Sequence, residues 1–506
     1  MKRLLIILFS LFIGSNHIFA QEDPDTQNIT LSEDEFGFVW QLIGLGDSLF
    51  YNFEQPDEAL KYYEGAYDFL SDNYSLNKKI GDCYLKSVTE DKTLSLPYLK
   101  KVIQNHQDSL KSDDYYNMGS SFHFNEEFDS AIHYYELSYI QADTSFISTI
   151  EKRIYECING SKFYKNFNNH IIIKNLGPSV NSKYADFCPL VDAVENRLYF
   201  TSRRHEFRND NPDIRDHLSE NIYYSQRKDF INWNEPVPLP YPVNNDDHSA
   251  TVSISMDGSE MILYGNGDLL SSSMESEGWN KPKKLSKNIN SIFVETSACI
   301  NTTMDTLYFV SNNEYLSLGG LDIFMSIKNA KGKWGKPINI GPEINTKYDE
   351  EGVALSMDGN TLYFASRGHD SMGGYDIFKS TKDFQGNWSK AENLGIPINS
   401  PFDDVYFMIR TNGRHAYYSS ARKGGYGEKD IYRISILDDE KPLSIARRDI
   451  SYLYLDKDSV HLERAKTHHD PLMDIKKNTL TATTDLLKTL FFHASLTTKD
   501  SVNQVE

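Results

Sequence analysis

Between residues 33 and 165 the apolar positions recur at helical spacing, with almost no alternation between apolar and polar neighbours. Ile43, Phe50, Ala59, Tyr63 and Ala66 form one set. Gly119, Phe122, Ala131, Tyr135 and Ser138 repeat it, with offsets 3, 12, 16 and 19 when the first set is counted from Asp47. A weaker middle copy holds Gly81, Tyr84 and Tyr98. Small residues let antiparallel helices approach, and aromatic rings fill the groove to the next pair. The pattern predicts stacked helical repeats over 33–165, capped by a further helix from Ser145 to about Tyr164.

From residue 170 the pattern changes to short strands. The apolar run at Leu198-Tyr199-Phe200 has equivalents beginning at Met261, Leu307, Leu362 and Ala416, spaced 63, 46, 55 and 54 residues apart. Trp233, Trp279, Trp334 and Trp388 keep the last three of those spacings, and so do Asn244, Asn290, Asn345 and Asn399. Three markers on one irregular ruler identify a repeat. Each unit reads as four strands, the first two joined by an Asp-Gly turn such as Ser255–Gly258 or Ser356–Gly359. A repeated four-stranded meander is a propeller blade. Ile173–Ser182 matches Ile338–Thr346, a fourth strand without its first three, while the last unit lacks a fourth strand. Lending the early strand to the last blade closes the ring without an open edge. The expected fold is therefore α + β multidomain: a helical-repeat stack over 33–165, then an all-β propeller over 170–436. It has five blades, or six if the tail at 437–506 builds another. In that tail Ile450–Leu455 alternates like a strand, and 474–492 has a helical pattern.

The helical motifs, Ala59-x3-Tyr63-x2-Ala66 and Ala131-x3-Tyr135-x2-Ser138, resemble tetratricopeptide repeats. The strand motifs, Ser-Met-Asp-Gly, Leu-Tyr-Phe-x-Ser-Arg and Gly-Gly-x-Asp-Ile-Phe, resemble the WD40-like, TolB-type propeller repeat over about half the chain. Blade 2 departs, with Gly265-Asn266-Gly267 in place of the Ser-Arg loop. The combination resembles the OmpA-family multidomain envelope proteins of bacteria that use type IX secretion. It lacks their peptidoglycan-binding domain, so peptidoglycan binding is not expected of this chain.

Lys2 and Arg3 precede an apolar run, Leu4–Ile13, and Ala20 is a plausible cleavage residue, so residues 1–20 read as a secretory signal peptide. No later run is long enough for a membrane span. With 72 acidic against 52 basic residues and a net charge of −20, nucleic acid is disfavoured as a partner. Cys83, Cys157, Cys188 and Cys299 form no CxxC pair and read as buried free thiols.

Two loop classes fall on one propeller face. The loops from strand four to strand one carry Asp186, Asp247, Glu295, Asp349 with Glu350, and Asp403 with Asp404. The loops from strand two to strand three carry Arg203, Arg204, Arg367, His369 and Arg422. Asp322, Asp376 and Asp430 open strand three. Together they suggest a charged ring for a carboxylated peptide or a glycan; the bland alternative is that each Arg pairs with the Asp of its own blade. Residues whose type departs from the repeat, the 205–220 insertion and the loops at 369–372 and 423–429, are better candidates for a specific site. The Asp-Gly turns lack the ligand density of a calcium loop. No nucleophile elbow, HExxH or phosphate loop occurs. His468-His469-Asp470 before Pro471 reads as a polar turn rather than a metal site. The expectation is an exported, non-enzymatic scaffold without cofactor or metal. It would reside in the periplasm, associate with the outer membrane and bind envelope or secretion-system proteins. The alternative is a glycan-binding or glycan-active propeller, which would show convergent carboxylates not paired by Arg.

Overall fold

The computed structural model describes residues 31–437 apart from 106–109, 193–194, 205–219, 230–231, 245–247, 256, 277 and 411–412. The leader, Asp247, most of the blade 1 insertion and the tail beyond residue 437 lie outside the described residues.

Seven α-helices come first: α1 Glu33–Asp47, α2 Pro56–Tyr67, α3 Tyr74–Lys86, α4 Leu96–Asn105, α5 Ser112–Phe124, α6 Phe128–Gln141 and α7 Thr144–Lys165. Ser32 starts α1 with a capping box to Glu35, which satisfies the first free N–H groups of the helix. Each helix packs on the next, and the small residues sit where backbones approach. A Cβ on Gly119 would stand 2.7 Å from the Tyr135 ring, and one on Gly46 2.5 Å from the Tyr63 ring. The first copy of the motif is thus anchored by Gly46 and not by Asp47, one residue off the sequence alignment. A π-helical turn at Ser48–Asn52 continues α1 and absorbs the extra residue. Asp47 instead accepts the Tyr63 hydroxyl at 2.7 Å and ion-pairs Lys79 at 2.5 Å.

The strands form five sheets; four of them are four-stranded, and three of those are simple meanders. Blade 1 comprises Asp186–Val191, Arg197–Ser202, Asn221–Gln226 and Val237–Pro238; blade 3 starts at Glu295–Ile300 and blade 4 at Glu350–Leu355. Blade 2 is the irregular one, with a long third strand at Asp268–Glu275 that pairs with both Gly278–Trp279 and Lys283–Lys284. The displaced strand behaves as its sequence implies. Ile171–Asn175 pairs antiparallel with Asp430–Ile436, Ile171 opposite Ile436, and so completes blade 5 as its outer strand. The tryptophans mark the outer corner: Trp233, Trp334 and Trp388 bridge Arg227, Lys328 and Lys382, whose cations lie 5.1, 4.6 and 4.7 Å from the rings.

The helices dock on the loops of blades 4 and 5. Met372 from the second blade 4 loop is fully buried in the α5–α7 core beside Met118, Phe122 and Phe128. His123 Nε2 donates to the Met372 carbonyl at 2.8 Å, and Asn159 Nδ2 to the Ser371 carbonyl at 2.9 Å. Phe124 packs on Phe402 of blade 5, 4.8 Å between ring centres. The 369–372 loop, a candidate site from sequence, is therefore a plug between helices and propeller. All four cysteines are free and buried, and no helix among the described residues is long and apolar enough to cross a membrane.

Candidate functional site

Five residues after the closing Asn of each blade comes a residue that pins the loop into strand one. It is Asp186, Ser249, Glu295, Glu350 or Asp404. The acids accept from the Ser or Thr four residues earlier: Thr346 gives its N–H and hydroxyl to Glu350 at 2.9 and 2.8 Å, and Ser400 both groups to Asp404 at 2.7 Å. In blades 1 and 5 an arginine joins them. Arg204 Nη2 reaches Asp186 at 2.6 Å and the Val180 carbonyl at 2.5 Å, with Phe200 and Tyr223 against its plane. Arg422 repeats this with Asp404 at 2.9 Å, the Ile398 carbonyl, and Tyr418 with Tyr432. Blade 4 substitutes a histidine. His369 Nε2 donates to the equivalent Ile344 carbonyl at 2.7 Å, and its ring packs on Phe364 and Phe378. No described cation then pairs with Glu350, and burial pushes its carboxyl up to about 7. Arg204, Arg422, His369, Glu350 and Asp404 are thus loop braces. So is Asp349, whose Oδ1 accepts the Leu321 N–H at 3.0 Å.

Arg203, Asp403 and Arg367 lie elsewhere. Arg203 and Asp403 line a funnel of ≈ 310 Å³ at the loop end of the central channel, with Glu220, Glu351, Glu428, Lys429, Phe187, Tyr264, Tyr375 and Tyr406. Arg367 sits over the Tyr375 ring at 4.4 Å and 3.6 Å from Asp403. Most funnel acids are paired. Arg203 holds Glu220 at 2.8 Å and Glu428 at 3.2 Å, and Lys429 stands 3.7 Å from Glu428 and 3.8 Å from Asp403.

Glu351 is different. One residue beyond the loop-pinning acid, the five blades place Phe187, Ala250, Thr296, Glu351 and Val405. Glu351 is the one ionisable member. It is 7% exposed, accepts the Thr296 hydroxyl at 2.7 Å and the Gly352 N–H at 3.0 Å, and has no ion pair with a described Lys or Arg. Burial raises its pKa. The chain then breaks register: the pairing shifts between Glu351 and Ala354, and Gly352 adopts φ +60. A Cβ there would stand 2.9 Å from the Tyr406 N, so the bulge brings blade 4 against blade 5. Tyr406, at the matching bulge with φ +56, stacks on Phe187 at 5.7 Å across the channel floor.

Glu220 and Glu428 lie within the 205–220 and 423–429 segments that the sequence marks as candidates, whereas Glu351 and the tyrosines were not singled out. For Glu351 a signal existed: aligning the blades shows an acid where the others have Phe, Ala, Thr and Val. Glu220 and Glu428 end loops of unequal length, so departure from the repeat, and not spacing, is what marks them. Among the described residues no group of three or more His, Cys, Asp or Glu is placed to hold a metal ion.

No family model matches the chain, and no curated protein matches it. Among solved structures it is similar to an α-L-arabinofuranosidase from Lactobacillus brevis, 11% identical with a TM-score of 0.34, over 49% of this chain and 90% of that one. It is also similar to a glycoside hydrolase, 10% identical with a TM-score of 0.35, over 55% and 89% of the two chains. A prolyl endopeptidase is 15% identical with a TM-score of 0.26, over 46% of this chain, which spans only 30% of that protein. At this level the likeness concerns the fold alone. Against the expectation that the chain is not an enzyme, each of these three solved proteins is an enzyme by name; the likeness says nothing of an activity of this chain.

Proposed function

We propose that the loop-end funnel binds a saccharide and that the chain is a glycan-active propeller protein. The observation that carries this is Glu351, a buried carboxyl without a cation, at the floor of a funnel walled by Phe187, Tyr264, Tyr375 and Tyr406. Aromatic faces suit the apolar faces of sugar rings, and a few fixed polar groups give orientation. A carboxyl whose pKa is raised by burial keeps its proton for a leaving glycosidic oxygen, while a second carboxylate serves the opposite side of the ring. Asp403 suits the second role, because its contacts to Arg367 and Lys429 are long, at 3.6 and 3.8 Å. In hydrolysis the bond from the anomeric carbon to the leaving oxygen breaks, Glu351 protonates that oxygen, and water adds to the carbon while giving a proton to Asp403.

The test is a panel of aryl glycosides and polysaccharides, scored for binding by calorimetry and for release of reducing ends. Turnover that is lost in Glu351→Gln while binding survives supports the full reading. Binding without turnover reduces it to recognition, and neither binding nor turnover across the panel removes it.

Export to the periplasm and association with outer-membrane or secretion-system proteins belong to the same proposal. Their support is the leader pattern of residues 1–20 and the helical stack, which leaves Phe36, Phe38, Tyr51 and Phe53 exposed along α1 and the turn after it. Fractionation of cells producing the full chain tests this; recovery in the cytosol alone would refute it.

A further inference from the structure

We infer that the opposite end of the channel is a second, separate binding site, for a molecule with an apolar body and a cationic head. There the lower halves of all five inner strands enclose a cavity of ≈ 530 Å³, within the range of small-molecule sites. Every blade gives it an apolar side chain, Leu190, Ile254, Ile300, Leu355 and Met408, beside hydroxyls such as Ser253 and Ser297, and Met357 lies exposed at the mouth. Cys188 and Cys299 belong to the same wall, and burial raises both thiols, so they stay neutral. Flexible thioethers adapt to varied apolar shapes.

Apart from Arg410, the charges at the mouth are acidic. Asp257 and Glu260 of blade 2 face the cavity, and Asp305 and Asp358 follow the mouth residues Met304 and Met357 in the turns of blades 3 and 4. Hydrogen bonds from Ser255 and Ser259 hold Asp257 down to about 2, so it is ionised at any ordinary pH. Arg410 is the one cation among the described lining residues, and it is already engaged. Its guanidinium donates to the Val191 carbonyl at 2.7 Å and the Asp192 carbonyl at 2.5 Å, and lies 3.4 Å from Glu195. A largely apolar body with acids at its rim complements a cation joined to a hydrocarbon and repels an anionic amphiphile. This site does not depend on the saccharide reading, since Tyr406 alone lines both cavities in contact with blade 1 across the channel.

The experiment is calorimetry on the full chain with dodecyltrimethylammonium and with dodecanoate, both below micelle formation. The expected result is saturable one-to-one binding of the cation, tenfold or more tighter than dodecanoate. Ala354→Phe, which fills the cavity, should abolish it. Asp257→Asn with Glu260→Gln, both at the exposed rim, should reduce the preference for the cation roughly fivefold, the scale of exposed charge pairs. Should Ala354→Phe not fold, the rim variant decides. Equal affinity for the two amphiphiles, an unchanged preference in the rim variant, or unchanged binding in a folded Ala354→Phe would overturn the inference.

Discussion

The two ends of the propeller channel are made from the same five strands and have opposite chemistry. The loop end is charged and aromatic, and its inward residues differ from blade to blade: Phe187, Ala250, Thr296, Glu351 and Val405. The turn end takes an apolar side chain from every blade and carries acids at its mouth on the blade 2 side. The register break in strand one separates them; in blades 1, 4 and 5 it coincides with positive φ at Cys188, Gly352 and Tyr406. The helices brace only the loop end, through Met372 and Phe402. A ring of repeats thus carries uniform packing where its residues agree and specific chemistry where one blade differs.

The bracing is the first place to break this contrast. Met372→Ala removes a fully buried side chain from the helical core and should cost about 2–5 kcal/mol. It should loosen the helices from the propeller, seen as early protease cleavage near residue 168, while amphiphile binding at the turn end persists. If melting and cleavage are unchanged, the plug is not a brace.

Next comes the register break. Gly352→Ala combines a left-handed φ with a contact to the Tyr406 backbone and should cost about 1–3 kcal/mol by thermal unfolding. It should weaken ligand binding at both ends, because the bulge sets the wall they share.

A smaller effect concerns the histidine that stands for arginine in blade 4. Glu350 is raised from 4.5 to about 7 in the folded chain, so between those pH values the folded state holds more protons than the unfolded one. Stability from this group is therefore full below about 4.5 and is lost as pH rises to about 7. His123 acts in the opposite sense: burial lowers it from 6.5 to about 4, and its contribution is lost as pH falls through that window. Subtracting the unfolding profile of Glu350→Gln from that of the parent should isolate the first slope. A flat difference between pH 4.5 and 7 would show that Glu350 titrates normally.

Much of this architecture was legible in the residues. The propeller and its closing strand follow from local signals, since Asp-Gly turns, Trp and Asn fix each blade and Ile173–Ser182 has no other partner. The helical register was off by one at Asp47, because a π-helical turn leaves no mark in the sequence. The plug formed by Met372 and the brace made by His369 depend on contacts between distant segments, which periodicity does not report. The charged candidates recur in most blades and prove mainly to pin loops. Glu351 was overlooked beside the repeating Glu350, although its own position is the one that differs.

The saccharide reading rests on that side chain, and one comparison addresses it directly: hydrolysis and binding of a glycan found on the panel, parent against Glu351→Gln, with equal melting temperatures. Loss of turnover by about 10²–10⁴-fold with binding kept within severalfold is the expected result. Unchanged turnover in the variant would contradict the assignment of Glu351 as proton donor.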